Sequence, residues 1–125
     1  KRGYNFMYTR GIRGATTLAE NSKEEIKKAT VELVKEIMEA NSINKEDIAF
    51  IIFTVTTDIN QDFPAKYARL ELGFDTVPMM CYREMEVVGS MPLCLRALVT
   101  INTNKTQKEI KHIYQKGAKA LRKDL

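Results

Sequence analysis

The sequence is poor in the residues that disulfide frameworks and zinc sites require. Its 125 residues include two cysteines, Cys81 and Cys94, and a single histidine, His112. Two thiols in a chain long enough to form its own core do not resemble a disulfide framework. No close pair of cysteines accompanies the histidine, as a zinc site would require. We therefore expect free thiols, a reducing compartment and no metal.

Long apolar runs are also missing. No segment approaches the ~20 apolar residues that span a bilayer, and the basic opening "KRGYNFMYTR" lacks the apolar stretch of a secretory signal. Repeats, low-complexity tracts and linkers are absent. We expect one domain over residues 1–125, cytoplasmic and not associated with a membrane, with a core that buries roughly two-thirds of the unfolded surface.

Signatures of nucleophilic catalysis and of phosphate binding are absent too. The chain has no Gly-x-Ser-x-Gly motif, and His112 has no apparent serine or aspartate partner. The stretch "RGIRGATT" contains two glycines but lacks the Gly-Lys-Ser/Thr of a phosphate-binding loop. Cys81 could be a thiolate nucleophile, but a cysteine in apolar surroundings is more often a small buried hydrophobe.

What the sequence does contain is a positive balance of charge. The net charge is +4, and much of it lies in "KEIKHIYQKGAKALRKDL" near the carboxyl end. This balance fits a nucleic-acid partner, an acidic small molecule, or simply a solvated helix face.

Hydrophobic periodicity predicts the order β-α-β-α-β-β-α. Ser22 and Glu25 have capping-box spacing before the amphipathic "KEEIKKATVELVKEIMEA", and Pro64 and Gly73 suit the two ends of a second helix. Thr106 opens a third predicted helix that carries Ile110, Ile113, Tyr114 and Leu121 on its apolar side. The nearly continuous apolar run "IAFIIFTVT" predicts a strand buried on both faces. This pattern is typical of an α/β (α+β) fold with a mixed β-sheet packed against helices.

Several arginines lie in apolar surroundings. Arg96 is in the middle of the predicted strand "LCLRALVTIN", where a guanidinium is costly unless an anion meets it. Each arginine could pair with a protein carboxylate, but the set as a whole favours a shared anionic ligand, for which Glu84 and Tyr114 would add an acceptor and a neutral donor. The arginines are Arg13, Arg69, Arg96 and Arg122.

Five motifs resemble, in order and spacing, the monofunctional chorismate mutases of the bacterial trimeric class. They are "RGIRGATT", "FPAKYAR", "CYREMEV", "CLRALVTINT" and "IKHIYQKGAKALRKDL", and the resemblance runs from about residue 10 to residue 125. It implies a homotrimer that forms a pseudo-α/β barrel with active sites between subunits. The implied reaction is the pericyclic rearrangement of the dianion chorismate to prephenate, on the route to phenylalanine and tyrosine. The resemblance implies no cofactor, no metal, no covalent enzyme intermediate and no nucleic-acid partner.

The resemblance also implies roles for individual residues. Arg96 matches the arginine that contacts the breaking ether oxygen and a substrate carboxylate. Arg13 and Tyr114 match the pair that holds the enolpyruvyl carboxylate. Glu84 matches the acid that accepts a hydrogen bond from the ring hydroxyl, with Cys81 beside it.

Four further matches lie on other segments. Phe63, Lys66 and Arg69 match elements that the adjacent subunit brings to the cleft. Arg122 matches the basic residue of a carboxy-terminal segment that closes over the site.

The chain departs from the family pattern at three places. Met91-Pro92 stands where the family usually has two more polar residues, and Tyr82-Arg83 replaces a less charged pair. The opening segment, residues 1–9, is longer than the family's usual start, and we assign it no role.

Three other functions remain open from the sequence. A basic nucleic-acid-binding module fits the charge but lacks an RNA-binding signature and stacking aromatics. A small trimeric enzyme of similar build that acts on imine or enamine metabolites would also use an interface arginine for a carboxylate. A non-catalytic relative that only binds metabolites is the third.

Overall fold

The computed structural model describes residues 8–122 as one mixed β-sheet with two α-helices on one face. Most of the opening segment, residues 1–7, lies outside the described residues, as do residues 123–125. The predicted mixed sheet packed against helices is confirmed. The elements are β1 (Tyr8–Thr17), α1 (Lys23–Ala40), β2 (Ile48–Val55), α2 (Pro64–Leu72), β3 (Met79–Arg83), β4 (Cys94–Thr103) and β5 (Ile113–Tyr114), with 3₁₀ helices at Lys45–Asp47, Gln107–Glu109 and Lys116–Leu121.

The strands lie in the order β3-β2-β4-β1-β5. The central strand β4 is antiparallel to both of its neighbours, and the two outer pairs, β2 with β3 and β1 with β5, are parallel. The register places Arg96 between Ala15 of β1 and Thr54 of β2. Because side chains alternate along a strand, these three residues share the face of the sheet that the helices do not cover.

Helix α1 begins where the sequence predicts. The Ser22 hydroxyl accepts a hydrogen bond from the Glu25 backbone N–H at 3.2 Å, while the Glu25 carboxylate reaches back to the Ala19 N–H at 2.9 Å. The buried stripe of α1 packs on the sheet so closely that a Cβ at Gly14 would lie 2.6 Å from Ile37 Cδ1. Neither α-helix in residues 8–122 combines the length and apolar character needed to cross a bilayer.

The opposite face of the sheet is open and rich in apolar side chains. The prediction that β2 is buried on both faces holds on one face only: Ile51 and Phe53 are fully buried against the helices, whereas Phe50 is 39% exposed. Neighbouring strands continue this exposed surface, which we call the open face. Its large hydrophobic members are Phe50, Met80, Tyr82 and Leu98.

The prediction of a third α-helix near the carboxyl end is wrong. The capping box at Thr106 and Glu109 is present, but it opens only the 3₁₀ helix Gln107–Glu109. The chain then extends, and its next residues pair in parallel with Gly14 and Ala15 as β5. Lys116 has a φ of 53°, which interrupts any continuous helix. Pairing with the free edge of β1 therefore outweighs the helical pattern of this segment.

The unusual Arg83 has a structural role. Its Nη1 donates to the carbonyl oxygens of Thr56 at 2.9 Å and Ile59 at 3.3 Å, so it clamps the loop between β2 and α2. Asp58 ties the same loop to the start of β4 by accepting from the Leu93 N–H at 2.9 Å. Burial acts to raise the pKa of Asp58, but hydrogen bonds from Thr56 and Leu93 prevail and lower it.

Candidate active site

A cavity of about 340 Å³ opens on the open face above the centre of the sheet. Four of the residues singled out in the sequence line it together, although they come from four different parts of the chain: Arg13, Glu84, Arg96 and Tyr114. Between them the floor is small or apolar, formed by Gly14, Ala15, Ile52, Thr54, Ala97 and Leu98. The cavity thus has an apolar floor and a few polar groups around it, an arrangement typical of small-molecule sites.

Arg96 and Glu84 form the central ion pair of the cavity. Arg96 Nε lies 2.6 Å from Glu84 Oε2, and the side chains are 44% and 24% exposed. The contact is an ion pair rather than a well-directed hydrogen bond, because Nε–H has no aligned acceptor among residues 8–122. The sequence had predicted an anion for Arg96, and the chain itself supplies one.

Glu84 is held in place by the end of the sheet. Its backbone N–H donates to the carbonyl of Val55 at 2.8 Å, which extends the pairing of β3 with β2 by one residue. Its second carboxylate oxygen accepts from the Met85 N–H at 3.2 Å, and the Thr54 hydroxyl lies 3.5 Å from Oε2. These contacts leave the carboxylate accessible from the cavity.

Arg13 and Tyr114 are brought together by the pairing of β1 with β5. Tyr114 lies opposite Ala15, and the Gln115 N–H donates to the Ala15 carbonyl at 2.9 Å. Arg13 precedes this pairing on β1, and its side chain is exposed on the cavity side. Arg122 lies behind Tyr114, with its guanidinium carbon 6.0 Å from the centre of the phenol ring.

Three of the predicted residues that lie outside this cavity belong to α2 or directly precede it. Phe63, Lys66 and Arg69 are exposed at the start and on the outer side of α2, which packs against α1 and β3 in the helix layer. Phe63 is 68% exposed, which is high for an aromatic side chain. Lys66 pairs with Asp62 at 3.0 Å.

Asp62 also accepts a hydrogen bond from the Tyr67 hydroxyl at 2.7 Å. That hydrogen bond, together with those from Phe63 N–H and Lys66, lowers the pKa of Asp62 to about 2. Asp62 therefore stays ionised and keeps Lys66 paired at neutral pH.

Neither cysteine is placed as a nucleophile. Cys81 lies opposite Phe53, on the helix side of the sheet, and does not line the cavity. Burial raises the pKa of the Cys81 thiol, and burial likewise raises that of Cys94. Both thiols are therefore protonated at neutral pH, which disfavours the hypothesis that Cys81 is a thiolate nucleophile. Among residues 8–122, no three His, Cys, Asp or Glu side chains cluster closely enough to hold a metal ion.

Two neighbours of Arg96 are not identifiable as site residues from the motifs alone. Thr54 flanks Arg96 across the β2–β4 pairing, and Cys94 lies two residues before it on the same face. Strand alternation places Cys94, but Thr54 becomes visible only once the register between β2 and β4 is known.

The cavity can hold an anion and polarise it, but offers little else. Two guanidinium groups approach it from adjacent strands, with one carboxylate acceptor and one phenol. Guanidinium groups keep their charge at any physiological pH and suit carboxylate geometry. The arrangement therefore favours electrostatic stabilisation over proton transfer or nucleophilic attack.

Comparisons with known proteins agree with this geometry. The model of the family "Chorismate mutase type I" matches residues 9–125. Chorismate mutase AroH of Bacillus subtilis is 39% identical over 119 residues, which cover 95% of this chain and 94% of the relative. Chorismate mutase AroH of Thermus thermophilus is 44% identical over 117 residues, which cover 93% and 95%.

A solved structure extends the similarity to three dimensions. The chorismate mutase of Clostridium thermocellum superposes with a TM-score of 0.86 at 44% identity, covering 88% of this chain and 97% of its own. Because the family model matches nearly the whole chain, the protein belongs to the type I chorismate mutases, a family of isomerases.

Proposed function

We propose that the protein converts chorismate to prephenate in the biosynthesis of phenylalanine and tyrosine, with the 340 Å³ cavity as one wall of its active site. The observation that carries this proposal is the presence of Arg96, Glu84, Arg13 and Tyr114 around a single cavity in a member of this family. Chorismate carries two carboxylates, and the cavity offers two guanidinium groups. This match of two carboxylates with two guanidinium groups suggests a role for each residue.

Arg96 acts on the ether oxygen of the substrate. The rearrangement needs no acid, base or nucleophile, but the C–O bond lengthens before the new C–C bond forms, which leaves partial negative charge on the ether oxygen. A fixed cation beside that oxygen stabilises the transition state more than the ground state. Arg96 suits this role because Glu84 already restrains its side chain.

Arg13 and Tyr114 bind the enolpyruvyl carboxylate, and Glu84 accepts a hydrogen bond from the ring hydroxyl. With both ends of the substrate held, chorismate is kept in the chair-like conformer in which the two reacting carbons are close. No cofactor or metal takes part in these steps. In this scheme Cys81, on the helix side of β3, supports the ring-hydroxyl side of the site from beneath the sheet.

The complete site is formed in a homotrimer. Support comes from the open face, which leaves Phe50, Met80 and Leu98 exposed in the single chain. Apolar patches of this kind mark interaction surfaces. In the trimer, the neighbouring subunit contributes Phe63, Lys66 and Arg69.

Arg122, beside the Tyr114 ring, closes over the bound substrate. Residues 1–125 act as a single domain, and the free thiols suit the reducing cytoplasm.

The direct test is to follow chorismate absorbance with and without the purified protein. The expected result is consumption of chorismate with stoichiometric formation of prephenate, which acid converts to phenylpyruvate. Binding of chorismate without turnover would instead indicate a non-catalytic relative. Salt-sensitive retention on RNA with no turnover would indicate the nucleic-acid module.

Replacement of Arg13 tests the carboxylate contact. We expect Arg13→Ala to raise KM and to lower kcat, because the enolpyruvyl carboxylate is bound in both the ground state and the transition state. Saturation kinetics for prephenate formation measure both constants. Arg10→Ala is a matched control, because Arg10 lies on the same strand but donates to the Lys105 carbonyl outside the cavity. An unchanged KM for Arg13→Ala would contradict the assignment.

A further inference from the structure

His112 has a contact that the reaction scheme leaves unexplained. Its ring lies just before β5, at the edge of the sheet, and Nδ1 accepts a hydrogen bond from the backbone N–H of Arg13 at 2.9 Å. Since Nδ1 is the acceptor, the proton of the neutral ring is on Nε2. The side chain thereby adds one more hydrogen bond to the β1–β5 pairing, which otherwise spans only two residue pairs.

This hydrogen bond ties Arg13 to the segment that carries Tyr114, and Arg13 and Tyr114 are proposed to bind the same carboxylate. Arg13 provides the N–H, and Tyr114 follows His112 by two residues on β5. Because β5 is a two-residue edge strand, few contacts fix it against β1. Gln115 N–H donates to the Ala15 carbonyl and Gly117 N–H to the Thr17 hydroxyl on the carboxyl side of Tyr114, and His112 provides the contact on the amino side. The separation of the Arg13 guanidinium and the Tyr114 hydroxyl therefore depends on this contact.

We propose that His112 is a positioning residue that fixes Arg13 relative to Tyr114, and that it does so only while its imidazole is neutral. The inference rests on the proposed function, because it concerns the carboxylate-binding pair of that site. His112 touches no substrate in this scheme and acts through the strand edge.

The surroundings of His112 keep the ring neutral. It lines a cavity of about 300 Å³ behind Tyr114. Arg13 faces it from β1, Glu36 from α1, and Lys119 and Arg122 from the carboxy-terminal segment. Glu36 is the one acidic group among them, and its Oε1 accepts from Gln115 Nε2 at 2.6 Å. Burial, then the charges of Arg13 and Arg122, lower the pKa of His112 below 6.5.

Protonation of His112 should lower both the stability of the folded chain and its affinity for substrate. Well above pH 6.5 the ring is neutral in both the folded and the unfolded chain, and the hydrogen bond is intact. As the pH falls below 6.5, the unfolded chain takes up the proton first, so the folded state loses stability. When the folded protein protonates in turn, Nδ1 carries a hydrogen and can no longer accept from Arg13. Substrate binding should weaken at that point.

The test uses variants that separate the acceptor from the charge. Asn places an amide oxygen near the position of Nδ1 but does not titrate, whereas Gln places its amide near Nε2 and cannot reach the Arg13 N–H. We expect His112→Asn to keep the wild-type KM for chorismate at pH 7.5 and to remove its rise at acid pH. We expect His112→Gln to hold KM roughly two- to tenfold above the neutral-pH value of the wild type at every pH, the equivalent of one lost hydrogen bond, with a smaller change in kcat.

Two results would overturn the inference. One is a KM of His112→Asn that rises at acid pH as steeply as that of the wild type, which would assign the effect to another group. The other is a wild-type KM in His112→Gln at neutral pH. Hydrogen exchange of the Arg13 amide, measured by NMR without substrate, gives an independent reading: we expect protection in His112→Asn and its loss in His112→Gln. If the wild type failed to convert chorismate, the proposed function would fail, while the exchange rates would still report on the hydrogen bond.

Discussion

Replacement of Arg96 by Ala is expected to lower kcat for prephenate formation by ~10²–10³-fold, the usual cost of removing one donor to a developing oxyanion. The change removes the cation nearest to the proposed position of the ether oxygen. It also leaves Glu84 without its ion-pair partner, but that carboxylate faces an open cavity and can be hydrated. We therefore expect little change in melting temperature, and kcat should carry the effect. Stopped-flow or steady-state loss of chorismate absorbance measures it.

Arg96→Lys separates charge from geometry. Lysine restores the positive charge, but its single ammonium on a flexible stem cannot maintain the contact with Glu84 and reach two substrate atoms at once. We expect an activity well below that of the wild type. Retention of more than about a third of wild-type turnover in Arg96→Ala would refute the assigned role, given the effect that such donors usually have. Equal activity of Lys and Arg at this position would show that charge alone is sufficient.

Replacement of Phe50 by Glu is expected to prevent formation of the proposed trimer and, with it, nearly all catalysis. Phe50 is already 39% exposed in the single chain, so a glutamate there remains hydrated and the subunit keeps its fold. Burial of that carboxylate between subunits would cost several kcal/mol without a partner. We expect a species of 14.3 kDa in sedimentation, and a loss of activity of at least ~100-fold, because each cleft would lack the residues from its neighbour.

Phe50→Leu is the matched control, since it keeps an apolar side chain at the same position and should sediment and turn over like the wild type. Dilution of the wild-type protein provides a second test that needs no substitution. Specific activity should fall at the concentrations at which sedimentation shows dissociation. Full activity in a monomeric Phe50→Glu would contradict the proposed inter-subunit site.

The sequence predicted those features that depend on local patterns. The capped amphipathic helix α1 and the proline and glycine ends of α2 are signals confined to a few residues, and both helices form where expected. The strand that carries Arg96 was evident from its alternation. Arg13, Glu84 and Tyr114 were found through motif resemblance, and the sheet brings them to one cavity.

The features that were missed depend on contacts between distant segments. The carboxyl end has a helical pattern and a true capping box, yet it pairs with β1 because that edge would otherwise be unpaired. The contact between Arg96 and Glu84 depends on where the loop after β3 places the carboxylate, which no local pattern encodes. The apolar run of β2 predicted burial on both faces, but a single chain covers only one of them.

The ion pair between Glu84 and Arg96 has a consequence for the unliganded protein. A free arginine side chain samples many rotamers, and its immobilisation opposes binding by up to about 2 kcal/mol of lost entropy. In this cavity the carboxylate holds Nε, so the rotamers are restricted during folding, before any ligand arrives. The guanidinium, which the Cys94 thiol also contacts, lines the cavity and meets the incoming molecule there. Recognition thus begins with a side chain that is already oriented.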